Sequence, residues 1–109
     1  MKHPQPIVQL AALLNGHDYA LRLKPKDYPE PESWGHWLGV LVPVYLEISG
    51  PWPARKVEWV EVNPIVTTSR GRLVPPRVDD YTDLLRRQLT AAGFSFVVTD
   101  DGYLRIFLH

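Results

Sequence analysis

Apolar residues along this chain recur at two different spacings, and the switches between them mark its elements. Ile7, Leu10, Ala11 and Leu14 fall at helical spacing behind Pro6, whose missing N–H would have no helical partner in a first turn. The spacing predicts a short helix over 6–14, stopped by Asn15-Gly16, a pair suited to a left-handed residue. His17 to Leu23 alternates, with Tyr19, Leu21 and Leu23 on one side, and reads as a first strand. From Lys24 to Gly35, Pro25, Pro29 and Pro31 forbid a regular ladder or helix, so an extended loop is expected.

His36 to Ile48 carries the strongest strand signal. Leu38, Val40, Val42, Val44, Leu46 and Ile48 share one face, and Trp37, Gly39, Leu41, Pro43, Tyr45 and Glu47 share the other. Pro43 cannot donate to a ladder, which places this strand at an edge or at a bulge. Ser49 to Ala54 reads as a turn. Val57 to Thr67 is a further strand whose phase slips: one extra residue near Trp59-Val60 would bring Val57, Trp59, Val60, Val62 and Val66 onto one face, as a β-bulge does. Ser69 to Arg77 is a polar loop. Asp79 or Asp80 then caps a second helix with Tyr81, Leu84, Leu85, Leu89 and Ala92 as its apolar stripe and Gly93 as its stop. Phe94 to Thr99, the turn Asp100-Asp101-Gly102 and Tyr103 to Leu108 predict a closing hairpin.

The expected order is α-β-β-β-α-β-β: an α+β fold with two helices and an antiparallel or mixed twisted sheet of about five strands. With 109 residues, the chain fits a single domain spanning 1–109. Twelve basic and twelve acidic residues cancel, leaving no global field to draw the protein onto nucleic acid or an anionic membrane. The most apolar stretch, Trp37 to Leu46, is about half of the ~20 residues a bilayer span needs, so no membrane partner is expected. The chain has no cysteine, which removes disulfides, thiolate catalysis and cysteine-ligated zinc and suits the cytoplasm. The first residues lack the apolar core of a secretory signal.

Candidate chemistry is sparse. His3, His17, His36 and His109 include no pair three or four apart, so no metal site and no cofactor is expected. Asp79-Asp80 and Asp100-Asp101 sit where a helix cap and a turn need them. No nucleophile elbow and no Gly-rich phosphate loop occurs, so no catalytic residue is nominated. Trp34, His36, Trp37 and Tyr45 are the candidates for an aromatic-lined pocket around His36. Arg70, Arg72 and Arg77, within one loop, are the candidates for gripping single-stranded nucleic acid, a reading that the neutral overall charge disfavours.

The closing hairpin shapes the leading functional expectation. A two-residue Asp101-Gly102 turn would set Val97 opposite Ile106 and Phe96 opposite Phe107, making both faces of the hairpin apolar. A sheet with one wet face should not read that way. The expectation is therefore a non-catalytic interaction protein that buries an apolar sheet face, as a homodimer or against a protein partner. Trp52, Phe94, Phe96 and Phe107 are its interface candidates. The alternative is a small-ligand-binding or enzymatic domain with the pocket near His36.

Overall fold

The computed structural model describes residues 6–41 and 45–108. In chain order these form α1 (Pro6–Leu14), β1 (Ala20–Pro25), β2 (Gly39–Leu41), β3 (Tyr45–Glu47), β4 (Pro51–Pro53), a 3₁₀ turn (Ala54–Lys56), β5 (Val57–Asn63), β6 (Ile65–Thr68), β7 (Arg77–Asp80), α2 (Thr82–Ala91), β8 (Ser95–Val98) and β9 (Leu104–Phe107). The fold is α+β, and every strand pair is antiparallel. A four-stranded sheet runs in the order β1-β5-β9-β8, β2-β3-β4 form a small meander, and β6-β7 form a separate hairpin.

One face of the main sheet meets both helices. Leu21 and Leu23 of β1, Val57, Val60 and Val62 of β5, and Leu104 and Ile106 of β9 are buried with Leu10 and Leu14 of α1 and Leu85 and Leu89 of α2. Leu38 and Leu46 join the same core from around the meander. The α2 stripe is amphipathic as the spacing predicts, and its end is fixed by Gly93 at φ +82°. There the Gly93 N–H donates to Thr90 O at 3.1 Å and the Phe94 N–H to Leu89 O at 3.0 Å, and Phe94 packs onto the core. At its start, the Asp80 carboxylate accepts from the Thr82 N–H at 2.9 Å, satisfying a donor of the first turn.

Five local expectations are corrected. Gly16 does not take a left-handed conformation, since among the described residues only Gly71, Gly93 and Gly102 have positive φ. Asn15 instead pairs its side-chain amide with the backbone of Leu38, accepting from its N–H at 2.8 Å and donating to its carbonyl at 2.9 Å. His36 to Ile48 is not one strand: β2 and β3 fold back on each other with Val40 opposite Leu46 and Gly39 opposite Glu47. This pairing matches even with even numbers, so the alternation runs unbroken through the reversal and cannot distinguish a hairpin from a single strand. Val42 to Val44, including the expected interruption at Pro43, lie outside the described residues.

The third correction concerns Val57 to Thr67, which divides at Pro64. The Asn63 side chain accepts from the Ile65 N–H at 3.0 Å, and the chain leaves the main sheet to form the β6-β7 hairpin. The fourth is the bulge, which lies at Glu58, between the pairs Lys24–Trp59 and Pro25–Val57. It returns Val57 to the core face but leaves Trp59 on the other. The last is the closing turn. Thr99 and Tyr103 flank a three-residue loop with Gly102 at φ +85°, and the strands pair Phe96 with Ile106 and Val97 with Arg105. Phe96, Val98, Leu104 and Ile106 therefore share the core face. Ser95, Val97, Arg105 and Phe107 share the outer one. The outer face of the hairpin thus mixes Val97 and Phe107 with Ser95 and Arg105 instead of being continuously apolar, which weakens the two-faced argument for a homodimer.

Candidate functional site

A sheet of four strands has two edges, and among the described residues only one is covered. Along β1, the proline-rich segment supplies the missing partner. Leu21 and Gly35 exchange two backbone hydrogen bonds of 2.8 Å, and the Glu32 N–H donates to Leu23 O at 2.8 Å. At the opposite edge β8 pairs with β9 and, among the described residues, with no other strand. The Thr99 N–H donates to Tyr103 O across the turn at 2.8 Å. Antiparallel alternation then turns the amides of Val97 and Ser95 toward β9 and leaves those of Phe96 and Val98 facing outward.

Natural sheet edges are commonly guarded by lysine, proline or an inward-pointing charge. Ser95-Phe96-Val97-Val98 has none of these, and Val97 and Val98 are each 48% exposed. Beside this edge runs α2. Asp83, Arg86, Arg87, Thr90 and Ala91 form one helical stripe at positions i, i+3, i+4, i+7 and i+8, adjoining the buried Leu85 and Leu89. This stripe and Phe96 line a shallow, open groove of about 710 Å³. Its apolar lining is Phe96 with Ala91, and its charged lining is Arg86 and Arg87 with the single carboxylate of Asp83. Arg86 has no partner among the described residues, and Arg87 makes one long bond to its own helix, at 3.4 Å to Asp83 O.

The outer face of the main sheet carries a second constellation, which composition and motifs did not reveal. Glu61 of β5 is 1% exposed, and each of its oxygens is held by an arginine from a neighbouring strand. Arg22 Nε lies 2.7 Å from Oε1, and Arg105 Nε and Nη2 lie 2.9 and 2.8 Å from Oε2. The guanidinium of Arg22 stacks 4.4 Å from the Trp34 ring, that of Arg105 4.4 Å from the Trp59 ring. The signal was in the alternation: Leu-Arg-Leu, Val-Glu-Val and Leu-Arg-Ile each set one charge between two core residues. A carboxylate so enclosed is fully bonded, and the cluster ties three strands together.

The nominated pocket residues do not converge. Trp34 lies against Tyr103 and Arg22, while Trp37 is 63% exposed. His36 is exposed, with Nδ1 3.4 Å from an Asp18 oxygen, and Tyr45, on the central strand of the meander, is exposed as well. Among the interface candidates, Phe96 lines the α2 groove, Phe94 closes the end of α2 and Phe107 sits on the outer face opposite Trp59. Trp52 stands apart, edge-on to Tyr28 at 5.2 Å with its indole N–H on Glu32 at 2.8 Å. Together with Pro25, Pro29, Glu30 and Pro31 these enclose a smaller hollow of about 400 Å³.

Arg70, Arg72 and Arg77 lie together on the β6-β7 hairpin, whose tip exposes Leu73 at 98%. Two of the three arginines are engaged. Arg70 donates to Pro75 O at 3.1 and 3.2 Å, and Arg77 pairs with Asp79 at 2.9 Å, leaving Arg72 to solvent. Among the described residues no three acidic or histidine side chains gather as a metal site, and no helix is long and apolar enough to cross a membrane.

The chain belongs to a family of unknown function, DUF6678, whose profile matches residues 22–107. The match takes in the main sheet from Arg22 onward, α2 and the closing hairpin, and so includes the free edge. No curated protein and no solved structure matches the chain.

Proposed function

We propose that this protein is a non-catalytic interaction module that takes an extended segment of a partner protein onto the free edge of β8. The observation that carries this reading is the unguarded edge, with the outward amides of Phe96 and Val98 beside a groove walled by one face of α2. Strand addition of this kind draws affinity from main-chain hydrogen bonds and selectivity from pockets under alternate side chains. An incoming strand would complete the ladder on one side and cover Phe96 on the other. A cysteine-free chain suits the reducing cytoplasm as the place for such binding.

Panning a library of displayed random dodecapeptides against the protein and against Val98→Pro tests the reading. The substitution deletes one outward N–H while leaving the bonds to β9 in place. Binders recovered on the unmodified protein and lost on a folded Val98→Pro variant are the expected result. Binders that hold both equally, or a library that yields none, would contradict it.

A further inference from the structure

We infer that the segment received by β8 is acidic, with carboxylates on the side of the strand that faces α2. The inference rests on the strand-addition reading and adds the chemistry of the partner. An added strand points alternate side chains to opposite faces, at about 6.6 Å between like-facing positions. Those on the core side enter the groove walled by Asp83, Arg86, Arg87, Thr90 and Ala91. Among the described residues, no carboxylate pairs with either arginine there. Both stand beside a sheet edge, where pairing excludes water from one side and strengthens a charge-assisted bond. Asp83 has a place of its own in the first turn of α2, where a negative charge complements the helix dipole. The other side of the added strand lies along Val97 and takes β-branched residues.

The same charges argue against a second copy as the occupant. If β8 paired with its own copy about a two-fold axis, the two α2 helices would flank one continuous groove. Arg86 and Arg87 of each copy would then confront their counterparts, and like charges meeting at an interface disfavour that association. A partner strand bearing glutamate or aspartate reverses the sign of that interaction.

Three fluorescein-labelled octapeptides test this directly, each alternating valine with glutamate, glutamine or lysine, read by fluorescence anisotropy. The glutamate peptide should bind at least about ten-fold more tightly than the glutamine one at low salt, with the margin narrowing as salt rises through the range where the Debye length falls to ~8 Å. The lysine peptide should bind most weakly, and Arg86→Glu/Arg87→Glu, at two exposed positions, should invert the order. The glutamate peptide N-methylated on alternate residues, in either phase, controls for strand pairing without altering the protein. Glutamate and glutamine peptides that bind alike, and that one phase of N-methylation abolishes, would overturn the acidic preference and leave strand addition standing. Binding indifferent to N-methylation in both phases would overturn strand addition itself. A dimer in light scattering that Val98→Pro splits would make a second copy the occupant and sink the inference.

Discussion

Phe96 stands opposite Ile106 on the core face of the main sheet, and this pairing decides which backbone groups of β8 remain free. With Phe96 in that position, its amide and that of Val98 face away from β9 while the Phe96 ring turns toward α2 and lines the groove. The edge and the groove thus follow from one register, set by a turn in which only Gly102 has positive φ.

Gly102→Val tests that register. A residue with a Cβ pays about 1–2 kcal/mol in the left-handed region, and a β-branched one more. Chemical denaturation should show a loss of at least about 1 kcal/mol. An unchanged midpoint would mean that the turn does not hold the conformation on which the pairing depends.

The cluster around Glu61 supplies a second prediction. Glu61→Gln removes the negative charge and leaves Arg22 and Arg105 facing each other across a neutral amide. Breaking a buried pair costs ~3–5 kcal/mol, and the partial exposure of both arginines places this loss toward or below the lower end of that range. Replacing all three residues together, as Arg22→Met, Glu61→Leu and Arg105→Met, should restore most of it. A triple variant less stable than Glu61→Gln would show that the charges add more than they cost.

Tyr19 links stability to alkaline pH. Its side chain is fully buried, and its hydroxyl has no partner among the described residues. Burial, and secondarily the neighbouring Tyr81, pushes its pKa from 10.0 up to about 12. An unfolded tyrosine gives up its proton near 10, so between these values unfolding releases a proton that the folded state retains. Stability present in full below pH 10 should fall as pH rises toward 12. Tyr19→Phe should abolish that share of the decline while leaving neutral-pH stability unchanged or higher by up to ~1–2 kcal/mol. An unaltered alkaline profile in Tyr19→Phe would contradict the assignment.

Leu85, at the centre of the α2 stripe, is fully buried. Leu85→Ala should cost ~2–5 kcal/mol by equilibrium denaturation. A loss under about 1 kcal/mol would mean that α2 is not seated on the core as described.

What the sequence revealed and what it concealed divide along a physical line. Spacing alone located α1, β1, α2 and the closing hairpin, because each carries its own apolar period and its own stop. Pairing between segments was less legible. Alternation in 36–48 survives a reversal that matches even positions with even ones, so a hairpin and a long strand read identically. In the closing hairpin the question was one residue of loop length, and that residue decides whether Phe107 shares a face with Phe96 or opposes it. The site followed the same rule. Phe96 was nominated for its hydrophobicity, but the groove also needs Arg86 and Arg87, which no local pattern joins to it until β8 is placed beside them. Glu61 met its arginines across 39 and 44 residues of chain, a separation that no local pattern encodes.

Hydrogen exchange at individual β8 amides, with and without a saturating amount of the valine–glutamate peptide, tests strand addition most directly. The free protein should exchange rapidly at Phe96 and Val98 and slowly at Val97, whose amide already lies in the ladder with β9. Peptide should slow Phe96 and Val98 strongly and leave Val97 little changed. Bound peptide that leaves Phe96 and Val98 exchanging freely, with protection arising instead on the 65–80 hairpin or around Trp52, would contradict the account.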